Sequence, residues 1–188
     1  MSELWYAAYG SNIHEQRFLC YLQGGKPTYG KVEMHGATDP SPPSENRVIS
    51  IPHALYFSLP DGRKDTANWG YGGVAFVEAR SDQSVETLCR IWKISEDQYE
   101  EVRAQEGAAY KYELDLGEID GLPVRSFTHE HSIEKRMPPS ESYLATIALG
   151  LKEAYQLNTL ELFDYFSALG GIQGKLSPDL LLEMLQDL

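Results

Sequence analysis

The chain has 188 residues, with 16 lysines and arginines against 28 aspartates and glutamates, for a formal net charge of −12. Its 42% hydrophobic, 11% aromatic and 23% charged residues are those of an ordinary folded protein, which excludes disorder and a fibrous repeat. An acidic chain without a basic cluster repels phosphate backbones and anionic lipid, so neither nucleic acid nor a membrane surface is an expected partner.

The start, Met1-Ser2-Glu3-Leu4-Trp5, lacks the basic and apolar regions of a leader, and no apolar run approaches the roughly 20 residues of a bilayer span. This reads as a cytoplasmic protein. Leu4 to Tyr9 is short, aromatic and apolar and stops at Gly10, the pattern of a buried strand entering a tight turn. Asn12 with Glu15 three residues on resembles a capping box, and Ile13, Arg17, Phe18, Cys20, Tyr21 and Leu22 form a helical stripe ending at Gly24-Gly25. Residues 36–47 carry three of the ten prolines and read as an exposed loop.

Strands are expected at 48–59, 73–78 and 85–94. Ser95 with Gln98 opens a helix that ends at Glu106-Gly107, which places Glu106 at a helix exit. Asp120-Gly121 between two strand-like runs, 110–118 and 122–128, marks a hairpin. Helices follow from Ser140, from Asn158 to Gly170-Gly171, and from Ser177-Pro178 to Leu188. The sum is about six strands and four or five helices in an α+β fold, read as a single domain over 1–188 with a helical extension from about 157.

Few patterns carry chemistry. Tyr9-Gly10-Ser11-Asn12, between a strand and a helix, offers consecutive backbone N–H groups as an anion cradle, although local physics favours a plain turn at Gly10 and a cap at Asn12. The segment is too short for a nucleotide-binding loop. Glu106 has small uncharged neighbours, Gly107, Ala108 and Ala109, which suits a carboxylate that transfers protons; composition alone does not separate it from the other acids. The five histidines lack ligand spacing, so no metal is expected, and no Gly-x-Ser-x-Gly elbow is present. Cys20 and Cys89 sit among apolar neighbours as packing thiols.

Tyr6-Ala7-Ala8-Tyr9-Gly10-Ser11-Asn12 resembles the first strand and loop of the γ-glutamylcyclotransferase-like family. Gly72-Gly73-Val74-Ala75, the strand 88–94 with Trp92, Gln105-Glu106-Gly107, Val124-Arg125-Ser126-Phe127 and Pro139-Ser140-x-x-Tyr143 resemble its later motifs in the same order, over residues 4 to about 155. The resemblance implies a small mixed β-barrel with helices packed outside, no cofactor and no metal. It also implies cyclisation of a γ-glutamyl residue to pyroglutamate with release of an amine or amino acid. Glu106 would be the catalytic acid/base, and Tyr6, Ala7, Ala8, Tyr9, Gly10, Ser11, Asn12 and Tyr143 would bind the small-molecule γ-glutamyl substrate. Arg90, if it points inward, would recognise a substrate carboxylate. Two other readings stay open: a non-catalytic metabolite-binding relative, and an interaction domain whose leucine-rich C-terminal helices form a homodimer face rather than capping the core.

Overall fold

The computed structural model describes residues 2–59, 65–186 and 188. The chain runs β1 (Glu3–Ala8), a 3₁₀ turn (Ser11–Ile13), α1 (Glu15–Gln23), β2 (Glu45–Ile51), β3 (Leu55–Ser58), β4 (Asp65–Thr66), β5 (Gly70–Tyr71), β6 (Val74–Val77) and β7 (Thr87–Ser95). It continues through α2 (Glu96–Glu106), β8 (Tyr112–Ile119), β9 (Leu122–Thr128), α3 (Glu141–Tyr155), α4 (Thr159–Ser167) and α5 (Pro178–Gln186). The last helix was expected to reach Leu188; position 187 lies outside the described residues.

The fold is α+β. Its main sheet has five strands in the order β2-β7-β1-β9-β8, and two ribbons, β3-β6 and β4-β5, stand apart from it. Among the described residues the strands do not close into one hydrogen-bonded ring, so the barrel expectation resolves into an open sheet plus ribbons. The strand expected over 48–59 breaks at Pro52-His53-Ala54, and its second half leaves the sheet to pair with β6, Leu55 opposite Val77 and Ser58 opposite Val74. Proline cannot donate to a ladder, which fixes the break at that point. The loop expected through Arg47 ends earlier: Glu45, Asn46 and Arg47 pair with Lys93, Trp92 and Ile91 as the exposed start of edge strand β2.

Central strand β1 lies antiparallel to β7 and parallel to β9. Side chains alternate across a strand, and both faces of this one are buried. Leu4, Tyr6 and Ala8 enter the main core with Phe18, Trp92 and Phe127, whereas Trp5 and Ala7 pack against Ile91 and Val124 on the other side. Its aromatic, nearly continuous apolar run follows from that two-sided burial.

The helices complete the main core. The helix starts expected at Ser95, Ser140 and Asn158 all form, with capping boxes at Ser95/Gln98 and Asn158/Glu161 and Ser140 capping α3. From α3, Tyr143, Leu144, Ile147, Ala148 and Leu151 point inward; from α4 and α5, Leu162, Phe166, Leu181 and Leu185 do so. The last helix therefore buries its apolar stripe within the chain. No helix among the described residues is long and apolar enough to cross a membrane.

One packing detail ties α3 to the 3₁₀ turn. A Cβ on Gly150 would press on the His14 backbone nitrogen and stand 2.7 Å from the Ile13 carbonyl carbon. Gly150→Ala must therefore push this turn off the helix. We expect it to cost about 1–3 kcal/mol in denaturant unfolding, and unchanged stability would show that the contact is not tight.

Candidate active site

The site is built where β1 ends. Gly10 and the 3₁₀ turn take the chain sharply around, and the first turn of α1 begins only at Glu15, with His14 at its N-cap. Asn12, expected as a cap, is not one. Its buried side chain points back under the turn, where Nδ2 donates to Tyr6 Oη at 3.1 Å and to Glu106 Oε1 at 2.8 Å. Its carbonyl oxygen Oδ1 is buried without a partner among the described residues, and its backbone oxygen accepts the Trp92 indole N–H at 2.9 Å. The amide thus joins the first strand to the last residue of α2, 94 positions away.

A small recess of about 30 Å³ holds Tyr6, Tyr9, Gly10, Asn12 and Phe127 around Glu106. It adjoins a larger cavity of about 310 Å³ lined by Arg17, Tyr21, Trp69, Glu106, Tyr110 and Tyr143. Ser11, Glu106, Tyr110 and Tyr143 face both. Tyr143 Oη accepts the Ala75 amide N–H at 3.1 Å, and a Cβ at Gly10 would stand 3.0 Å from the same oxygen, so glycine lets the loop come this close without displacing the hydroxyl. Tyr110 Oη donates to the Ala75 carbonyl at 2.8 Å and Tyr9 Oη to the Phe127 carbonyl at 2.7 Å, which locks both rings in the wall.

Seven of the expected site residues are therefore brought together: Tyr6, Tyr9, Gly10, Ser11, Asn12, Glu106 and Tyr143. Ala7 and Ala8 line neither space. The Ala7 side chain lies on the opposite face of the sheet and Ala8 is buried in the main core, as strand alternation dictates. Arg90 also departs from expectation. Its guanidinium meets Glu15 at 3.0 Å, Glu153 at 3.3 Å, the Asn46 side-chain oxygen at 3.0 Å and the Ile13 carbonyl at 3.3 Å, and lies over the Trp92 ring. Arg90 clamps α1 and α3 to the sheet and leaves the cavity alone.

The cation that does line the cavity is Arg17, from the apolar stripe of α1. It is 3% exposed; Nη2 donates to Tyr21 Oη at 2.6 Å, while Nε and Nη1 have no partner among the described residues. Arginine is seldom buried in an otherwise apolar helical stripe unless something occupies its donors, and that placement was the available sequence signal. Tyr21, Trp69 and Tyr110 carried no signal that set them apart from the other tyrosines and tryptophans.

Burial sets the electrostatics of the hydroxyls. Desolvation, then the Glu106 charge, pushes Tyr6 and Tyr21 well above the ordinary tyrosine range; desolvation does the same to Tyr9 and Tyr110 and carries Tyr143 up to about 12. All remain neutral donors near pH 7. The cysteine thiols are likewise pushed up by burial and lie outside the site. Among the described residues no cluster of three or more His, Cys, Asp or Glu side chains could hold a metal ion, and the His129 ring bonds the His131 backbone.

No family model matches the chain. It is 38% identical over 104 residues to histone deacetylase 5 of Arabidopsis thaliana, a match that spans 55% of this chain and 15% of that protein. Three solved structures share its fold nearly end to end. A γ-glutamyl cyclotransferase aligns at a TM-score of 0.60 with 19% identity over 99% of both chains. An uncharacterized protein from Homo sapiens aligns at 0.61 with 20% identity over 99% of both chains. A yeast γ-glutamyl cyclotransferase specific to glutathione aligns at 0.50 with 14% identity, covering 100% of this chain and 97% of that one.

The buried tyrosines make alkaline stability a direct readout of this wall. Tyr143 has its folded value raised from 10.0 to about 12, so its contribution is complete below pH 10 and is lost as pH rises toward 12. Tyrosinate absorbance should show these rings titrating only together with unfolding; titration of all twelve tyrosines near pH 10 in a folded protein would contradict their burial.

Proposed function

We propose that this chain, which has the γ-glutamyl cyclotransferase fold, belongs to that family and is an enzyme that cyclises a γ-glutamyl residue to pyroglutamate with release of an amine or amino acid. The observation that carries this reading is the Asn12–Glu106 hydrogen bond of 2.8 Å, which sets a carboxylate against the loop at the mouth of a cavity of ligand size. The deacetylase named for the Arabidopsis relative is not carried over, since this chain matches only 15% of that protein.

The reaction needs one proton acceptor that later becomes a donor. The substrate α-ammonium gives a proton to Glu106, and its nitrogen attacks the γ-carbonyl carbon of the same residue. The tetrahedral adduct then collapses by breaking the bond to the departing amine, which takes the proton back from Glu106; the freed carboxylate relays the ring nitrogen's remaining extra proton to that amine, which leaves as an ammonium. No water is consumed. Ring closure is intramolecular, so holding the γ-glutamyl chain folded supplies what a second reactant would otherwise have to bring.

Asn12 fixes the carboxylate that does this work, and its unpartnered Oδ1 is an acceptor for the ammonium. The backbone N–H groups of Tyr9, Gly10 and Ser11 are the donors for the developing oxyanion, with the neutral Tyr143 hydroxyl beside them. Tyr6 acts through the Asn12 amide. In this reading residues 1–188 form one domain, and the helices from about 157 seal its core.

Pyroglutamate release from γ-glutamylalanine and γ-glutamylethylamine tests the proposal. Glu106→Gln should lower turnover by about 10²–10⁴-fold and Asn12→Ala by about 10–100-fold, both variants staying folded by circular dichroism. Wild-type turnover in Glu106→Gln would refute the carboxylate's role. Silence of the wild-type protein on both compounds would instead favour a metabolite-binding domain.

A further inference from the structure

The cyclisation proposed above gives Arg17 no role, yet Arg17 and Glu106 are the two charged side chains among the described residues lining the 310 Å³ cavity. The guanidinium carries a charge that it cannot shed. It is 3% exposed, with no carboxylate paired to it among the described residues and two nitrogens, Nε and Nη1, without any acceptor. Its remaining contacts are neutral: the Tyr21 hydroxyl, the Tyr21 ring at 4.3 Å and the Trp69 ring at 5.4 Å. Arg90, the other buried arginine among the described residues, meets two carboxylates. A buried guanidinium short of an anion is a receptor for one, because each unpartnered N–H can give a carboxylate oxygen a charge-assisted hydrogen bond.

We infer that Arg17 is a carboxylate-binding residue of this cavity and sets its preference for an anionic ligand. This rests on the γ-glutamyl reading for the identity of the ligand, which offers two carboxylates. One is on the γ-glutamyl head and the other, when the leaving group is an amino acid, is on the departing residue. Position favours the second. Ser11, Glu106 and Tyr143 face both the recess and the larger cavity, whereas Arg17 faces the larger cavity alone, together with Trp69, Val32 and Met34. A head held between the Tyr9–Asn12 loop and Glu106 directs its leaving group toward Arg17. Both free nitrogens are closed off from water, so an arriving carboxylate moves part of this wall aside.

Equilibrium binding to Glu106→Gln protein, which holds the probes uncleaved, separates the cases. Three probes are compared: γ-glutamylalanine, its C-terminal carboxamide, and 4-aminobutanoylalanine, which lacks the head carboxylate. The expected result is that the carboxamide binds about 10–100-fold more weakly than γ-glutamylalanine, and that this gap closes when Arg17→Met is added. Closure of the 4-aminobutanoylalanine gap instead would assign Arg17 to the head carboxylate and still support a carboxylate receptor. No carboxylate preference before the second substitution, or an equal change for all three probes after it, would overturn the inference and leave Arg17 a packing residue; thermal melting of each variant checks folding. Pyroglutamate release by the wild-type protein is scored separately. Binding with an Arg17-dependent gap but no release would defeat the cyclotransferase reading alone, and release without such a gap would defeat the Arg17 assignment alone.

Discussion

The Asn12 side-chain amide is the joint on which the site depends. Its nitrogen donates both to the Tyr6 hydroxyl on the central strand and to the Glu106 carboxylate at the end of α2, while its backbone carbonyl is held by the Trp92 indole. A buried amide that serves two acceptors is costly to misplace, because moving it strands a carboxylate and a hydroxyl together. The surrounding structure holds it in place. Gly150 of α3 packs on the backbone of the turn, and Gly10 allows the loop to approach Tyr143. Stacking of Tyr6 on Phe127 and of Phe18 on Trp92 fixes the layer beneath. Core packing and site geometry are thus the same set of contacts seen from two sides.

Charge is distributed with similar economy. A chain of net charge −12 places one guanidinium and one carboxylate on the described wall of its cavity, within a ring of hydroxyls that burial keeps protonated. Such a wall suits a small zwitterion or an anionic amide better than a polyanion. The two buried arginines divide the work. Arg90 is saturated and holds α1, α3 and the sheet together, while Arg17 keeps donors to spare at the cavity.

Much of the fold was legible where local chemistry decides it. Ser95 with Gln98, Asn158 with Glu161 and the Asp120-Gly121 hairpin each form as their side chains dictate. The strand break at Pro52 and the early start of edge strand β2 were less legible, because they turn on which partner strand is available. The open sheet with separate ribbons is likewise a matter of pairing, to which strand periodicity is blind. Asn12 shows the same limit at the site. Its spacing to Glu15 fits a cap, yet a carboxylate 94 residues away claims its side chain. Ala7 was legible once alternation along β1 is applied, since Tyr6 and Ala7 cannot face the same way. Arg17 and Arg90 could be told apart only by tertiary contacts.

The central claim is that a γ-glutamyl head sits between the Tyr9–Asn12 loop and Glu106. A crystal structure of the Glu106→Gln protein with γ-glutamylalanine bound tests it most directly. The account predicts the α-nitrogen within hydrogen-bonding distance of the side chains at positions 12 and 106, with the γ-carbonyl oxygen toward the loop's backbone N–H groups. A γ-glutamyl head found elsewhere, or with its nitrogen turned away from position 106, would contradict it.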